Sequence, residues 1–368
     1  MKKILYTAPS VEHIMRHHIP CMGRFRDLGF KIYLATGDAT IVRNVPIVDE
    51  MVLNPGLSGG VVADNAKQLA SFIESERFDI VTSNASPASY VTRRAVRMSD
   101  HRPALSATMC FGLGFDEDTS ALKKSRRLRR EKSVRKATDL MMVMNSSDFK
   151  MATTHGLAGF VARIPGTGVQ VSRYEPPSAA ARAAAREALG LRPDSFVMTC
   201  VGAFDRNHHQ RFVIENMMFL PRRFEIVMIG EGETRAACAD RVFKLGLEGV
   251  VHLPGYDDNL EPYLKASDAM LSACRYEGLP WPILIGQAMG LPSVVSAVKG
   301  NLDVVFNGRN GLTYFLGDPN SFIEAMRALL FDADMRALLG SHASEDVARY
   351  DIALATDAIM DCYLRALE

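Results

Sequence analysis

Short apolar runs alternate with helical patterns along most of this sequence, and the alternation stops once and restarts. That rhythm constrains the fold more than any composition figure does. Strand-like runs stand at Ile4 to Ala8, Lys31 to Thr36, Phe78 to Ser83, Ala104 to Cys110, Leu140 to Met144 and Val161 to Pro165. Helical patterns fall between them at Val11 to Leu28, Val61 to Glu74, Ala88 to Met98, Lys123 to Lys136 and Ser147 to Thr154. Strands joined by helical crossovers pair in parallel, and a parallel sheet is covered on both faces. The break comes at Tyr174-Glu-Pro-Pro-Ser178, and an Ala-rich helix, Ala179 to Leu189, follows and reads as a linker. Strands then resume at Phe196 to Ala203, Glu225 to Ile229, Val250 to Leu253, Ala269 to Ala273 and Ser293 to Ala297, and the last stretch is helical, including Ile352 to Leu367. The expected fold is α/β, with two doubly wound, Rossmann-like domains. Residues 1–172 form the first and 173–368 the second, and the last helix is a candidate to pack back on the first.

Composition narrows the function classes. A length of 368 residues suits two domains. The formal net charge of +1 gives no global bias toward nucleic acid. The six cysteines are scattered without a CxxC pair, which fits reduced thiols and argues against a zinc site. Met1-Lys-Lys-Ile-Leu-Tyr-Thr-Ala8 reads as a first strand, because Glu12, His13 and Arg16 cut the apolar run short of a signal peptide. No run approaches the ~20 apolar residues of a membrane span.

The stretch from Cys274 to Pro292 concentrates the candidate chemistry. Glu277-Gly-Leu-Pro280 makes a turn after a buried strand, and Pro282 to Met289 reads as a helix with Pro in its first turn. Amides at such a helix start suit an anion. Glu277 is then an acid beside an anion site, placed for a sugar hydroxyl or, in the plainer reading, for bracing the turn. Ligands of doubly wound folds bind at the carboxyl ends of strands, where this turn stands.

A series of motifs carries a resemblance over roughly 196–330: Val201-Gly202, Ile229-Gly-Glu-Gly232, Leu253-Pro-Gly-Tyr256, Ala266-Ser-Asp268, Glu277-Gly-Leu-Pro280, Ala288-Met-Gly-Leu-Pro292, Gly300-Asn301 and Asn307-Gly-Arg-Asn-Gly311. In this order they resemble retaining, family-4-type glycosyltransferases of the GT-B fold, and more narrowly bacterial exopolysaccharide and capsule glycosyltransferases. The N-terminal half matches more loosely, through His18-Ile-Pro20 and Ile164-Pro-Gly-Thr-Gly168. The resemblance implies two domains facing across a cleft and a nucleotide-sugar donor, most simply a UDP-sugar, on the C-terminal one. Glu277 would touch the donor sugar. The amides of Gly278 and Leu279, with Pro280 shaping the turn, would meet the diphosphate or sugar, assisted by Arg206 and His208. Gly255 and Tyr256 would border the nucleobase. His18, Cys110 and Gly112 would lie on the acceptor side or cleft. No metal is required, because the reaction depends on preorganised charge around the leaving diphosphate.

The sequence departs from the family pattern at three places. Ile285 stands where the second Glu of E-x7-E binds the ribose, and Gln287 lies two residues on. Ala203 and His208 take the positions of an Arg and a Lys that hold the diphosphate, leaving Arg206 as the permanent cation. Cys110 stands where many relatives carry a His. These departures motivate a second reading, a non-catalytic GT-B subunit that binds a partner glycosyltransferase. His17 reads as a helix-surface residue and Trp281 as packing.

Between Lys123 and Lys136, nine of fourteen residues are basic. Lys123, Lys124, Arg126, Arg127, Arg129 and Arg130 surround the helix without an apolar stripe. That suits adhesion to an anionic membrane surface, at roughly 1 kcal/mol per basic residue. The plainer readings are a solvated helix or a patch that meets an acidic partner protein, and RNA binding is unsupported without interleaved aromatics. The combined expectation is a cytoplasmic enzyme, peripheral at the inner face of the plasma membrane, that glycosylates a lipid-linked glycan in polysaccharide biosynthesis.

Overall fold

The structure is a computed structural model that describes residues 1–37, 45, 47–54, 57–59, 62–115 and 119–368. The chain divides into two compact units, 1–168 with 352–368, and 169–351. The division falls at 168/169 rather than at 172/173, and the last helix, Ile352–Leu367, is counted with the first unit.

In the first unit seven strands form one parallel sheet: β1 (Lys2–Ala8), β2 (Phe30–Thr36), β3 (Glu50–Leu53), β4 (Ile80–Asn84), β5 (Leu105–Cys110), β6 (Leu140–Val143) and β7 (Phe160–Arg163). Their order is β3-β2-β1-β4-β5-β6-β7. Ile4 of β1 pairs with Ile32 on one side and Ile80 on the other. Strands so placed are buried on both faces, and all five residues of β4 are buried. Each fully buried aliphatic side chain contributes roughly 1.5–3 kcal/mol. The last helix is tied to this sheet by Tyr363, whose hydroxyl meets Thr82 Oγ1 at 2.6 Å.

The helical pattern from Val11 to Leu28 is two helices, Val11–His17 and Ile19–Asp27. Pro20 sits in the first turn of the second, where its missing N–H is harmless, so it starts a helix instead of continuing one. The next helix runs Val62–Glu76. Val61, where the pattern began, lies outside the described residues.

In the second unit six strands form a parallel sheet: β8 (Phe196–Val201), β9 (Phe224–Ile229), β10 (Val251–Gly255), β11 (Ala269–Ser272), β12 (Ser293–Ser296) and β13 (Gly311–Tyr314). The order is β10-β9-β8-β11-β12-β13. The Ala-rich helix, Ala179–Ala188, is not a linker. Its Arg186 is buried and donates to Asp268 Oδ2 at 2.7 Å and to the carbonyls of Ala266, Pro193 and Ser195. Asp268 Oδ2 also accepts from the Val197 N–H at 2.8 Å, so the helix is fastened to the start of β8.

Strand order reverses at β1/β4 in the first sheet and at β8/β11 in the second. Ligands of open α/β sheets bind outside the carboxyl ends of strands at such points. The loops after β8 and β11 are therefore the place to look in the second unit, and those after β1, β4 and β5 in the first.

Candidate functional site

The loop after β8 and the turn after β11 are joined by one side chain. Asn207 Nδ2 donates to the Tyr276 carbonyl at 3.0 Å, its Oδ1 accepts from the Tyr276 N–H at 3.3 Å, and its carbonyl accepts from the Arg275 N–H at 2.8 Å. This holds His208 and Glu277 in one neighbourhood. The loop is tightened by Asp205, whose Oδ1 accepts the Asn207 and His208 N–H groups at 2.8 and 2.9 Å. His208 Nδ1–H donates to the same oxygen at 2.8 Å.

Electrostatics follow from that geometry. Burial disfavours a charged His208, but the hydrogen bond and charge of Asp205, with the Glu277 charge behind them, outweigh it and raise its pKa above the ordinary value. Burial also pushes Glu277 up, against the pull of His208 and the Gly278 amide. The loop thus presents an imidazole biased toward the cation, beside an acid held partly against ionisation. Asn207 and Asp205 were missed by sequence reasoning. The only available signal was the Asp205-Arg-Asn-His208 spacing, which suits an Asx turn.

The turn itself corrects two expectations. The Gly278 N–H donates to Glu277 Oε1 at 2.9 Å, so it faces its neighbour's carboxylate rather than an anion. The Trp281 N–H donates to the Leu279 carbonyl and the Ile283 N–H to the Pro280 carbonyl, and Pro282 has no N–H. The start of the helix Trp281–Ala288 therefore keeps few amides for a ligand. Leu279 is half-buried and packs with Trp281 against an apolar cluster. The turn is supported from β12: the Glu277 N–H donates to the Lys299 carbonyl at 3.2 Å. Gly300 (φ +82) lies so close that a Cβ there would stand 2.5 Å from the Glu277 carbonyl oxygen. Lys299 is nearly buried, with Nζ 5.9 Å from the Tyr276 ring, and is a second cation that sequence reasoning missed.

Ile285 is no ligand. It is 1% exposed in an apolar cluster with Val295 and Met289. Gln287 does not replace the absent acid: it is buried, and its Nε2 donates toward the Val304 carbonyl at 3.4 Å. Arg206 is exposed on the loop that carries His208. Gly255 ends β10 and accepts the Gly230 N–H at 2.8 Å, while Tyr256 beside it is half exposed.

In the first unit, His18 is fully buried, with Nε2 3.4 Å from His13 Nε2, while His17 Nδ1 meets Thr167 Oγ1 at 2.9 Å. Thus His17 is not a simple surface residue. Burial, with Arg16 adding, lowers the pKa of His13 to about 4, and burial, then His13 and Arg16, lower that of His17 to about 3. Burial pushes Cys110 up to about 12, so its thiol is no nucleophile. Cys110 and Gly112 instead line a cavity at the ends of β4 and β5.

The basic helix runs Ala121–Val134. Lys123, Arg126 and Arg129 are exposed on it, and Lys124 is half-buried. Arg127 lies against Gly114, and the Arg130 guanidinium sits 4.1 Å over the Tyr90 ring. No helix among the described residues is long and apolar enough to cross a membrane.

Comparison with known proteins agrees with this architecture. Residues 195–332, nearly the whole second sheet with its helices, match the family model described as Glycosyl transferases group 1. The chain resembles a crystal structure of Anabaena Alr3699/HepE in complex with UDP, with a TM-score of 0.80 over 99% of this chain and all of that one, at 16% identity. It is 24% identical to the putative glycosyltransferase EpsD of Bacillus subtilis, over 98% of this chain and 96% of that one. This chain is a glycosyltransferase of the GT-B fold. It is also 26% identical, over 88% of its length and 82% of the relative's, to an Escherichia coli enzyme named UDP-Gal:alpha-D-GlcNAc-diphosphoundecaprenol alpha-1,3-galactosyltransferase.

Proposed function

We propose that this glycosyltransferase moves a sugar from a UDP-sugar, with retention as in family 4, to a lipid-linked glycan in exopolysaccharide or capsule synthesis at the inner face of the plasma membrane. The observation that carries the donor half is the pairing of His208 with Asp205 beside Glu277. An imidazolium at the carboxyl end of β8 neutralises a leaving diphosphate and takes the role of the absent lysine. Arg206 on the same loop and Lys299, whose carbonyl braces the Glu277 turn, add positive charge. Glu277, protonated more readily than an exposed acid, hydrogen-bonds a hydroxyl of the donor sugar and stabilises charge near the anomeric carbon once ionised. Gly255 and Tyr256 border the base. No metal ion is invoked.

The acceptor half is supported by the relative whose name specifies a diphosphoundecaprenol substrate and by the exposed face of the basic helix. Lys123, Lys124, Arg126, Arg127, Arg129 and Arg130 would hold the first unit on an anionic leaflet, the exposed ones contributing most.

Calorimetry with UDP and GDP tests the reading. Micromolar UDP binding is expected, weakened by His208→Ala and by Arg206→Ala. Glu277→Gln should keep UDP and lose transfer. Binding of neither nucleotide would overturn the reading and favour a supporting subunit for a partner glycosyltransferase.

A further inference from the structure

A cavity of about 240 Å³ opens at the carboxyl ends of β4 and β5, inside the first unit. It is smaller than the ~300–1,000 Å³ of drug-sized sites, so it holds one ring, not a chain. Arg93 lines it and is 2% exposed. Two of its nitrogens are occupied: Nε donates to the Ser89 carbonyl at 3.1 Å and one terminal nitrogen donates to Glu131 Oε2 at 2.7 Å. The other terminal nitrogen is buried and has no hydrogen-bond partner among the described residues. A buried guanidinium N–H without an acceptor is costly, so a site that leaves one open beside a cavity points to a ligand acceptor.

The remaining lining fixes the ligand's charge. Glu131 also lines the cavity, so the pair is neutral overall and a bare anion would meet a carboxylate as well as the guanidinium. Guanidinium and carboxylate side by side offer a donor and an acceptor to adjacent hydroxyls, which are themselves donors and acceptors. The rings of Tyr90, one face of which carries the Arg130 guanidinium, and of Phe111 border the same space and give it an apolar side for the C–H groups of a sugar. The hydroxyls of Ser89 and Thr108 are bonded to each other at 2.7 Å.

We propose that this cavity is a sugar subsite that takes one neutral pyranose of the acceptor glycan, read by Arg93 and Glu131. It rests on the reading of the acceptor as a glycan. Glu131 stands on the basic helix, so the subsite and the membrane-facing charges share one element. An acceptor held by its lipid at the leaflet would present its sugars beside this cavity.

Ligand-observed NMR with glucose, galactose, N-acetylglucosamine and inorganic phosphate as separate probes tests this on the full chain, with UDP affinity measured in parallel. One neutral hexose should bind. The double variant Arg93→Met with Glu131→Leu should weaken it at least about tenfold and leave UDP affinity unchanged. That variant removes both charges together, an exchange that buried pairs tolerate. Intact UDP binding with no hexose bound, or hexose binding that survives in the variant, would overturn the subsite and spare the donor assignment. Phosphate bound in preference to every hexose would overturn it in favour of an anion site. Hexose binding without UDP binding would support the subsite while the donor reading fell.

Discussion

His208 donates through Nδ1 to Asp205 at 2.8 Å, three residues back on the same loop. That bond makes the imidazole a conditional cation. Its pKa is raised, so its contribution to stability is complete below the unfolded value of about 6.5 and is lost as pH rises through the folded value. UDP affinity should follow the same course, strong in mildly acidic solution and falling above neutrality. Asp205→Asn should move the midpoint down, measurable by His208 NMR titration and by calorimetry at several pH values. A midpoint unmoved in that variant would mean that Asp205 does not set the charge.

Gly300 is the narrowest point behind the turn. A side chain there meets the Glu277 carbonyl, and its φ of +82 is one that residues with a Cβ rarely adopt. Gly300→Ala should cost about 1–3 kcal/mol from backbone strain. Because the strain is released by shifting Glu277, transfer should fall more than stability. Thermal melting and initial rates on the same preparation separate the two.

The sheets were legible because strands buried on both faces read as apolar runs, as at Leu140 to Val143. Strand β3, Glu50–Leu53, was not read, since four residues starting on an acid carry no such pattern. Strand β13, Gly311–Tyr314, is equally short and begins on the last residue of the Asn307 to Gly311 motif, so it was not read either. The Ala-rich helix gave no apolar stripe because its anchor is a charge, Arg186. At the site, Glu277 and His208 were legible from motif order. The Asn207 bridge and the Gly278 amide were not, because both depend on how the loops close.

Ile285 tests whether the position of the second acid retains a function. It is enclosed by apolar neighbours, so Ile285→Glu would bury an unpaired carboxylate instead of reaching a ribose. A loss of about 3–5 kcal/mol is expected. That corresponds to a melting temperature lower by roughly 6–20 °C, without a gain in UDP affinity. Tighter UDP binding in a stable variant would reverse the assignment of Ile285 to the core.

Arg186 fastens the Ala-rich helix through four acceptors. Arg186→Met would leave Asp268, itself mostly buried, with the Val197 N–H at 2.8 Å and a longer contact to Arg182 at 3.3 Å. Breaking a buried pair on one side costs about 3–5 kcal/mol. Urea denaturation should show that loss if the helix is integral to the second unit. A helix acting only as a linker would leave the midpoint in place.

Membrane adhesion should follow exposure along the basic helix rather than its total charge. Arg126 and Arg129 are exposed, whereas Arg127 lies against Gly114. A basic residue near an anionic leaflet contributes about 1 kcal/mol, and reversing it adds repulsion of similar size. Arg126→Glu with Arg129→Glu should therefore weaken binding to phosphatidylserine-containing vesicles more than tenfold. Arg127→Gln alone should change it little. Salt should weaken the wild type in the same way, because exposed charges more than ~10 Å from their partners are screened at 0.1 M. Sedimentation with vesicles at low and physiological salt reads both effects, and neutral vesicles supply the reference. Equal sensitivity at Arg127 and Arg126 would mean that the helix turns as it meets the surface, and undiminished binding of the double variant would remove this helix from the membrane contact.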